Sequence, residues 1–313
     1  MKTNDSTLAY FLNQLTALDK RLHEPLYSVT WGRDINLRSG ITMANESSTF
    51  IRSNFASVGT QASTGLQFIT SNTTAIPGIT IDGEPVTTPM NLLGYKLAWT
   101  SVELERSQLT GQPIDKAKFD AMQSMYQMAV DVQVYTGGGG GGLEGLVNSS
   151  LVTVGTVATG AGGGTAWTGK KPEEILADVN TLITGAWKAS GYAVCPEKLL
   201  LPPENFAYIS TQKVSDAGSV SILTYLEDNS ISLRTNGRKL EIVPVKWLSQ
   251  RGAGNTGRMV AYTNRENFVR FPMVPIRRET PYFQDIMFVS PYIWAMGGVE
   301  FVYPETVRYA DGI

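Results

Sequence analysis

The stretch from Val29 to Asn91 most limits what this chain can fold into. It consists largely of Ser, Thr, Asn and Gly, with apolar residues in short groups at Phe50-Ile51, Leu66 to Ile69 and Ile76 to Ile81. Such a composition predicts extended strands and turns. So few apolar side chains cannot offset an ordering cost of about 1–2 kcal/mol per backbone residue. The stretch is therefore expected to depend on neighbouring protein for its order.

Three segments have the apolar spacing of amphipathic helices. They are Ser6 to Leu26, Asp115 to about Tyr135 and Pro172 to Gly191. Asp115 is the predicted N-cap of the second helix, which is expected to end at a run of six glycines, Gly137 to Gly142. The predicted apolar stripe of that helix consists of Phe119, Met122, Met125, Tyr126, Ala129 and Val132.

Short apolar or alternating runs predict strands in the rest of the chain. These runs are Tyr95 to Glu105, Leu151 to Val157, Lys198 to Leu201, Lys239 to Trp247, Met259 to Thr263, Phe268 to Met273, Ile286 to Met296 and Val299 to Arg308. Shorter helices are expected at Glu204 to Ser210 and at Ser221 to Asp228. Helices and strands mixed in this way are typical of the α+β class.

Charged residues make up 17% of the chain, below the roughly 25% usual in soluble domains. A surface poor in charge favours contact with other protein, because desolvating a charge is costly. The formal net charge of −2 gives no global attraction to DNA or to an anionic membrane. Residues 173–228 are mainly acidic and residues 234–278 mainly basic, which indicates either a head-to-tail contact between copies or two solvated faces.

The side chains that enzymes use most are scarce. His23 is the single histidine and Cys195 the single cysteine, so the chain has no intrachain disulfide and no all-cysteine metal site. A dyad of these two residues is conceivable, but a cysteine in such a position is usually a small buried hydrophobe. We therefore predict no catalytic, cofactor or metal site, and expect that the protein is not an enzyme.

The segment from Gly164 to Lys171 comes close to a phosphate-binding loop. Lys171 occupies the position where a Ser or Thr hydroxyl would hold magnesium, and the bulky Trp167 lies inside the loop. A surface turn leading into the Pro172 helix is the favoured interpretation, and a nucleotide-dependent enzyme is the alternative. No stretch reaches the ~18 apolar residues of a membrane span, and the N-terminus lacks the apolar run of a signal peptide.

Several longer stretches together resemble one known family. They are LAYFLNQLTALDKRLHEPLY at Leu8 to Tyr27, GLEGLVN at Gly142 to Asn148, PEEILADVNTLITGAW at Pro172 to Trp187, KLLLPPENFAYIST at Lys198 to Thr211, GRMVAYTNRENFVRFPM at Gly257 to Met273 and GGVEFVYPETVRYADGI at Gly297 to Ile313. These stretches are similar to the major capsid proteins of tailed bacteriophages, a family related to encapsulins. The resemblance covers nearly the whole chain and is weakest from about Ser28 to Gly111.

The resemblance implies an α+β fold of the Hong Kong 97 type. Its parts would be an N-arm with the first P-domain strands at 1–54, an E-loop at 55–92, a P-domain with the spine helix at 93–142, an A-domain at 143–283 and C-terminal P-domain strands at 284–313. The spine helix would carry Asp115, Phe119, Met122, Met125, Ala129 and Val132.

The resemblance also implies a function. The subunit would self-assemble as hexamers and pentamers into an icosahedral head around double-stranded DNA, which it would hold non-specifically, with a separate scaffold protein, a portal and decoration proteins as further partners. Assembly would take place in the host cytoplasm and without a membrane. The alternative within the same fold is an encapsulin-like shell. In either shell, the E-loop is predicted to contact a neighbouring subunit through Phe68, Ile69, Ile76, Ile79 and Ile81.

Overall fold

A computed structural model describes residues 26–57, 79–103, 105, 114–138, 142–215 and 218–313. The described helices are α1 Trp31–Asp34, α2 Ile114–Thr136, α3 Pro172–Ala189, α4 Pro203–Thr211, α5 Ile222–Asn229 and α6 Ile231–Asn236. The described strands are β1 Asn36–Leu37, β2 Ser47–Ser57, β3 Ile79–Pro89, β4 Asn91–Thr100, β5 Thr153–Thr156, β6 Lys198–Leu201, β7 Glu241–Pro244, β8 Arg258–Tyr262, β9 Val269–Phe271, β10 Met273–Arg278, β11 Tyr282–Gln284, β12 Met287–Met296, β13 Glu300–Phe301 and β14 Arg308–Asp311.

The chain divides into two compact units. The larger unit contains a five-stranded mixed sheet with the strand order β5-β14-β8-β6-β7. Strand β14 runs parallel to β5 and antiparallel to β8, and β6 runs antiparallel to β8 and parallel to β7. All four residues of β6 are buried, as their uninterrupted apolar pattern from Leu199 to Leu201 requires.

Helix α3 supplies the main cover of this sheet. Its apolar stripe recurs at three- and four-residue steps and is buried together with side chains of β6 and β8. Pro172 begins the helix, and the Glu174 side chain accepts hydrogen bonds from the backbone N–H groups of Lys171 (2.9 Å) and Ala161 (2.7 Å). The buried stripe comprises Ile175, Val179, Leu182, Ile183 and Ala186.

The larger unit also contains a short three-stranded sheet and a two-stranded ribbon. The sheet has the order β1-β9-β13, with β1 parallel to β9. The ribbon consists of β2 and β3, which pair antiparallel along eleven residues each, from Ser47 opposite Pro89 to Ser57 opposite Ile79. No other strand in the described part of the chain pairs with β2 or β3.

The smaller unit contains Gly94–Ala129 and Ile276–Ile293. Strands β10, β12 and β11 form its sheet in that order, and β4 also pairs with β12. Aromatic rings connect the elements: Trp99 lies 6.1 Å from Phe288 and Phe119 lies 6.0 Å from Tyr292, between ring centroids. A Cβ at Gly94 would come within 2.9 Å of the Tyr292 carbonyl oxygen, so β4 and β12 approach closely there.

Glycine ends α2, as the sequence predicts. Gly137 has a φ of +67°, and its N–H donates to the Gln133 carbonyl at 2.9 Å. A Cβ at this position would lie only 2.0 Å from the Leu143 carbonyl oxygen. The chain therefore turns back against the end of the helix in a space that admits no side chain.

Most of the predicted elements are confirmed, with small shifts at their ends, but several predictions are wrong. One continuous strand was predicted from Val299 to Arg308, but the structure has two strands there, β13 and β14, separated by a 3-10 turn at Pro304–Thr306. Pro272 similarly divides the strand predicted at Phe268 to Met273. The strand predicted at Tyr95 to Glu105 begins at Asn91 and ends at Thr100, and α6 was not predicted. The helix predicted at Ser6 to Leu26 lies almost entirely outside the described residues.

Strand β14 lies in the five-stranded sheet of the larger unit, between β5 and β8. The resemblance assigned both β14 and β12 to the C-terminal P-domain strands, although β12 belongs to the sheet of the smaller unit. The domain boundaries drawn from the resemblance remain a prediction.

Candidate functional site

The β2–β3 ribbon has one apolar face that the described chain leaves uncovered. Ile51, Ile79 and Ile81 are 71%, 76% and 77% exposed. The strand register places the pairs Ile51 opposite Pro85 and Ser57 opposite Ile79 on the same face, because side chains alternate along a strand. Of the predicted E-loop contacts, Ile79 and Ile81 lie on this face, whereas Phe68, Ile69 and Ile76 lie outside the described residues.

The opposite face of the ribbon is mainly polar beyond its first residues. Arg52 lies opposite Glu84, and Asn54 lies opposite Asp82 in the register. Near the base, the Arg52 guanidinium donates to the Phe301 carbonyl at 3.4 Å. The ribbon is thus amphipathic across its thickness, although it is a single layer.

A buried ionic cluster holds the base of the ribbon. The Glu300 carboxylate, fully buried, accepts hydrogen bonds from Arg270 Nε at 2.7 Å and Arg38 Nη1 at 3.0 Å. The Ser48 hydroxyl of β2 also donates to Glu300, and Arg38 Nη2 donates to the Thr49 carbonyl at 2.8 Å. We call Arg38, Ser48, Arg270 and Glu300 the ribbon clamp, because they join β2 to β9 and β13.

Helix α2 turns a different face inward from the one predicted. Met122 and Tyr126 are buried as expected, but Phe119 and Met125 are exposed, and Ala129 and Val132 are half-buried. The predicted stripe advances mainly in steps of three residues, whereas the buried positions Met122, Tyr126, Val130 and Val134 follow one another in steps of four, so the buried face runs along a different side of the helix. Residues missing from the predicted stripe are Val130 and Val134, both fully buried.

The predicted N-cap of α2 is also wrong. The helix begins at Ile114, so Asp115 lies within its first turn and not before it. The Asp115 side chain lies outside the part of the chain that the structure describes.

Cys195 has the properties of a structural residue. It is 1% exposed, and its burial, together with the nearby Glu197, raises the pKa of the thiol to about 11. Reactive cysteines need the opposite shift, since the thiolate is the nucleophile. The other member of the conceivable dyad, His23, lies outside the described residues.

The segment resembling a phosphate loop is part of a buried ion pair. Lys170 Nζ lies 2.5 Å from Asp178 Oδ2, and the Trp167 indole N–H donates to the same oxygen at 3.1 Å. The Lys170 and Asp178 side chains are 1% and 4% exposed. The lysine that would contact a nucleotide phosphate is therefore already neutralised. The segment is the expected surface turn leading into the Pro172 helix, with Gly164, Thr168 and Gly169 exposed and the Trp167 and Lys170 side chains turned inward.

The acidic and basic regions of the sequence meet partly within one chain. Asp228 pairs with Lys239 at 2.5 Å, and Glu197 pairs with Arg265 and with Arg238. These pairs are largely exposed, so each contributes little to stability. A contact between copies through the same regions remains a prediction.

Neither a metal site nor a membrane helix emerges from the described residues. Among them, no group of three or more His, Cys, Asp or Glu side chains could hold a metal ion. None of the helices that the structure describes is long and apolar enough to cross a lipid bilayer.

Most of the chain matches a known protein family. A model of the family described as major capsid protein matches residues 65–313. A search of curated proteins finds no match.

Solved structures similar to this chain share its fold at low sequence identity. The capsid of Myoviridae phage XM1 is 16% identical with a TM-score of 0.76, and the match covers 96% of this chain and 98% of that one. The capsid of the native GTA particle is 10% identical with a TM-score of 0.62 and 99% coverage of both chains. Mycobacterium phage Che8 gives 12% identity, a TM-score of 0.58 and coverage of 94% and 96%.

Proposed function

The chain belongs to the major capsid protein family and has an α+β fold of the Hong Kong 97 type, and from this premise we propose that it self-assembles as hexamers and pentamers into the icosahedral head of a tailed phage. A protein of this family is a structural subunit of a capsid and not an enzyme. The head would enclose the double-stranded DNA genome. A separate scaffold protein, a portal and decoration proteins would be its partners, with assembly in the host cytoplasm.

The exposed apolar face of the ribbon carries this proposal. A two-stranded hairpin is marginally stable in water unless another layer covers it. Ile51, Ile79 and Ile81 each gain roughly 1.5–3 kcal/mol when fully buried. In a self-assembling shell, a second copy of the chain can cover the apolar face of every ribbon. Repetition of one such head-to-tail contact closes a ring.

Burial of the ribbon face is tested with a double variant, Ile79→Ser with Ile81→Ser. Both side chains are exposed in the single subunit, so folding of the subunit should be unaffected. Loss of two contacts that assembly would bury should raise the protein concentration needed for assembly at least tenfold, which corresponds to about 1.4 kcal/mol. Particle yield is measured by sedimentation and negative-stain microscopy.

Leu151→Ser is the matched control, because Leu151 is an exposed apolar residue of the same unit outside the ribbon. It should assemble like the unmodified chain. Hydrogen exchange gives a second measurement: amides of residues 79–89 should gain protection only in closed shells. Unchanged assembly of the double variant, together with equal protection before and after assembly, would exclude a role of the ribbon between subunits.

The contents of the particles separate the phage head from an encapsulin-like shell. Particles isolated from lysates of infected or induced cells should contain nuclease-protected double-stranded DNA of uniform length. Particles filled with a folded protein cargo instead of DNA would favour the nanocompartment and contradict the proposed function.

A further inference from the structure

The β11–β12 hairpin ends in an exposed apolar tip around one carboxylate. Phe283 and Ile286 are 78% and 75% exposed, and Asp285 lies between them at the turn. Asp285 has a φ of +54°, which Asp tolerates better than most residues, and it forms no ion pair with any described residue. We call Phe283, Asp285 and Ile286 the hairpin tip.

The same unit has a groove whose chemistry is the complement of that tip. The groove has a volume of about 370 Å³, and its walls are mainly aromatic: Trp99, Phe119, Phe288 and Tyr292, with Leu97. Lys116 and Arg278 also line it. Neither of these two cations pairs with a carboxylate in the described part of the chain, and Arg278 donates instead to the Ser290 hydroxyl at 2.9 Å. We call this set of residues the aromatic groove.

One donor in the wall of the aromatic groove is unsatisfied. The indole N–H of Trp99 is buried and has no hydrogen-bond acceptor among the described residues. Burying such a group without a partner is unfavourable, and most buried polar groups in folded proteins have one. The described residues therefore leave one polar group of the groove wall unsatisfied.

The tip does not fill the groove of its own subunit. Phe283 contacts Phe288 edge to face at 5.4 Å, so the tip borders the groove, and the pairing of Gln284 with Met287 holds the tip in its own hairpin. In this arrangement Phe283 remains exposed, and Asp285 has no ion-pair partner among the residues that the structure describes.

We propose that the hairpin tip of one subunit docks into the aromatic groove of a second copy, with Asp285 between Lys116 and Arg278. The two apolar side chains of the tip match the aromatic walls, and the carboxylate matches the two cations. This contact rests on the proposed self-assembly and adds a second surface, separate from the ribbon.

Cysteine pairs test the contact without requiring a complete head. Subunits carrying Asp285→Cys are mixed with separately labelled subunits carrying Lys116→Cys and oxidised under assembly conditions. Disulfide-linked dimers containing one copy of each should form in the mixture and not in either variant alone. The unmodified chain is the control, because its Cys195 is buried and has a raised pKa. A mixture that remains monomeric on a non-reducing gel overturns the contact, whether or not heads form.

Charge reversal tests the role of Asp285. Asp285→Lys and Lys116→Glu should each lower particle yield at least tenfold while the circular dichroism and melting temperature of the subunit stay unchanged. The variant with both substitutions should recover most of the yield, because the pair is restored with opposite sign. Normal yield of the single variants, or a double variant no better than either, contradicts the proposal. Normal heads from chains that never crosslink would refute the contact and leave the proposed function standing.

Discussion

Loss of the Glu300 carboxylate should destabilise the larger unit more than any other single change in the ribbon clamp. Its side chain is fully buried, while those of Arg38 and Arg270 are 20% and 16% exposed. Breaking a buried ion pair by removing one partner costs about 3–5 kcal/mol. Because both guanidinium groups keep some access to water, Glu300→Ala should cost about 3 kcal/mol, near the lower end.

Glu300→Gln separates the charge from the hydrogen bonds. The amide oxygen can still accept from one guanidinium, but that bond is no longer assisted by charge, so we expect a loss of about 1–2 kcal/mol. Glu305→Gln, at an exposed position in the following 3-10 turn, should change stability by less than about 0.5 kcal/mol.

Urea unfolding of unassembled subunits measures all three variants. The midpoint should fall in the order Glu305→Gln, Glu300→Gln, Glu300→Ala at an unchanged slope. Hydrogen exchange should quicken at the base of β2, where Arg38 contacts Ser48 and Thr49. A loss below about 1 kcal/mol for Glu300→Ala, or a larger loss for Glu300→Gln, would show that the clamp does not hold the ribbon.

Three further predictions concern other buried or capping groups. Asp178→Ala leaves Lys170 buried without its partner and should lower unfolding free energy by about 3–5 kcal/mol, and ATP should not change the melting temperature of the unmodified chain; a thermal shift with ATP would restore the nucleotide interpretation. Native Cys195 should resist thiol reagents at neutral pH until the chain unfolds, and Cys195→Ser should assemble; rapid labelling would contradict its burial. Backbone hydrogen bonds hold the pKa of Glu174 below its usual range, so the carboxylate stabilises the fold at a pH above its pKa in the unfolded chain, and this effect is lost as the pH falls through its pKa in the folded chain. Glu174→Gln should make the free energy of unfolding less dependent on pH in that acid range, and an unaltered pH curve would disprove the stabilising role of these hydrogen bonds at the start of α3.

Local signals in the sequence predicted the elements with strong terminators. Helix α3 begins at Pro172 and α2 ends at Gly137, both as predicted, because these residues act on the backbone independently of tertiary context. Strand β6 matches its prediction at both ends, since an uninterrupted apolar run between turn residues admits little else.

Features that depend on distant residues could not be predicted. Ser48 and Glu300 of the ribbon clamp lie 252 residues apart, and no spacing pattern connects them. The buried face of α2 was misassigned for a related reason: Phe119 is as apolar as Met122, and only the neighbouring elements decide which of them is covered. For the ribbon, composition predicted extended structure without a core, and the register of β2 against β3 was needed to show that its isoleucines share a face.

The position of β14 also sets a time at which this protein can fold. Arg308–Asp311 lies in the interior of the five-stranded sheet, between strands that begin at Thr153 and Arg258. During synthesis, β5 and β8 leave the ribosome before β14, the strand that pairs with both of them. The sheet therefore cannot be completed until β14 has emerged, and pairing of strands so far apart in sequence is slow. We expect nascent chains stopped before Arg308 to be digested rapidly by protease and chains extended past Asp311 to resist it. The arrangement is thus expected to delay completion of the five-stranded sheet until Arg308–Asp311 has been synthesised.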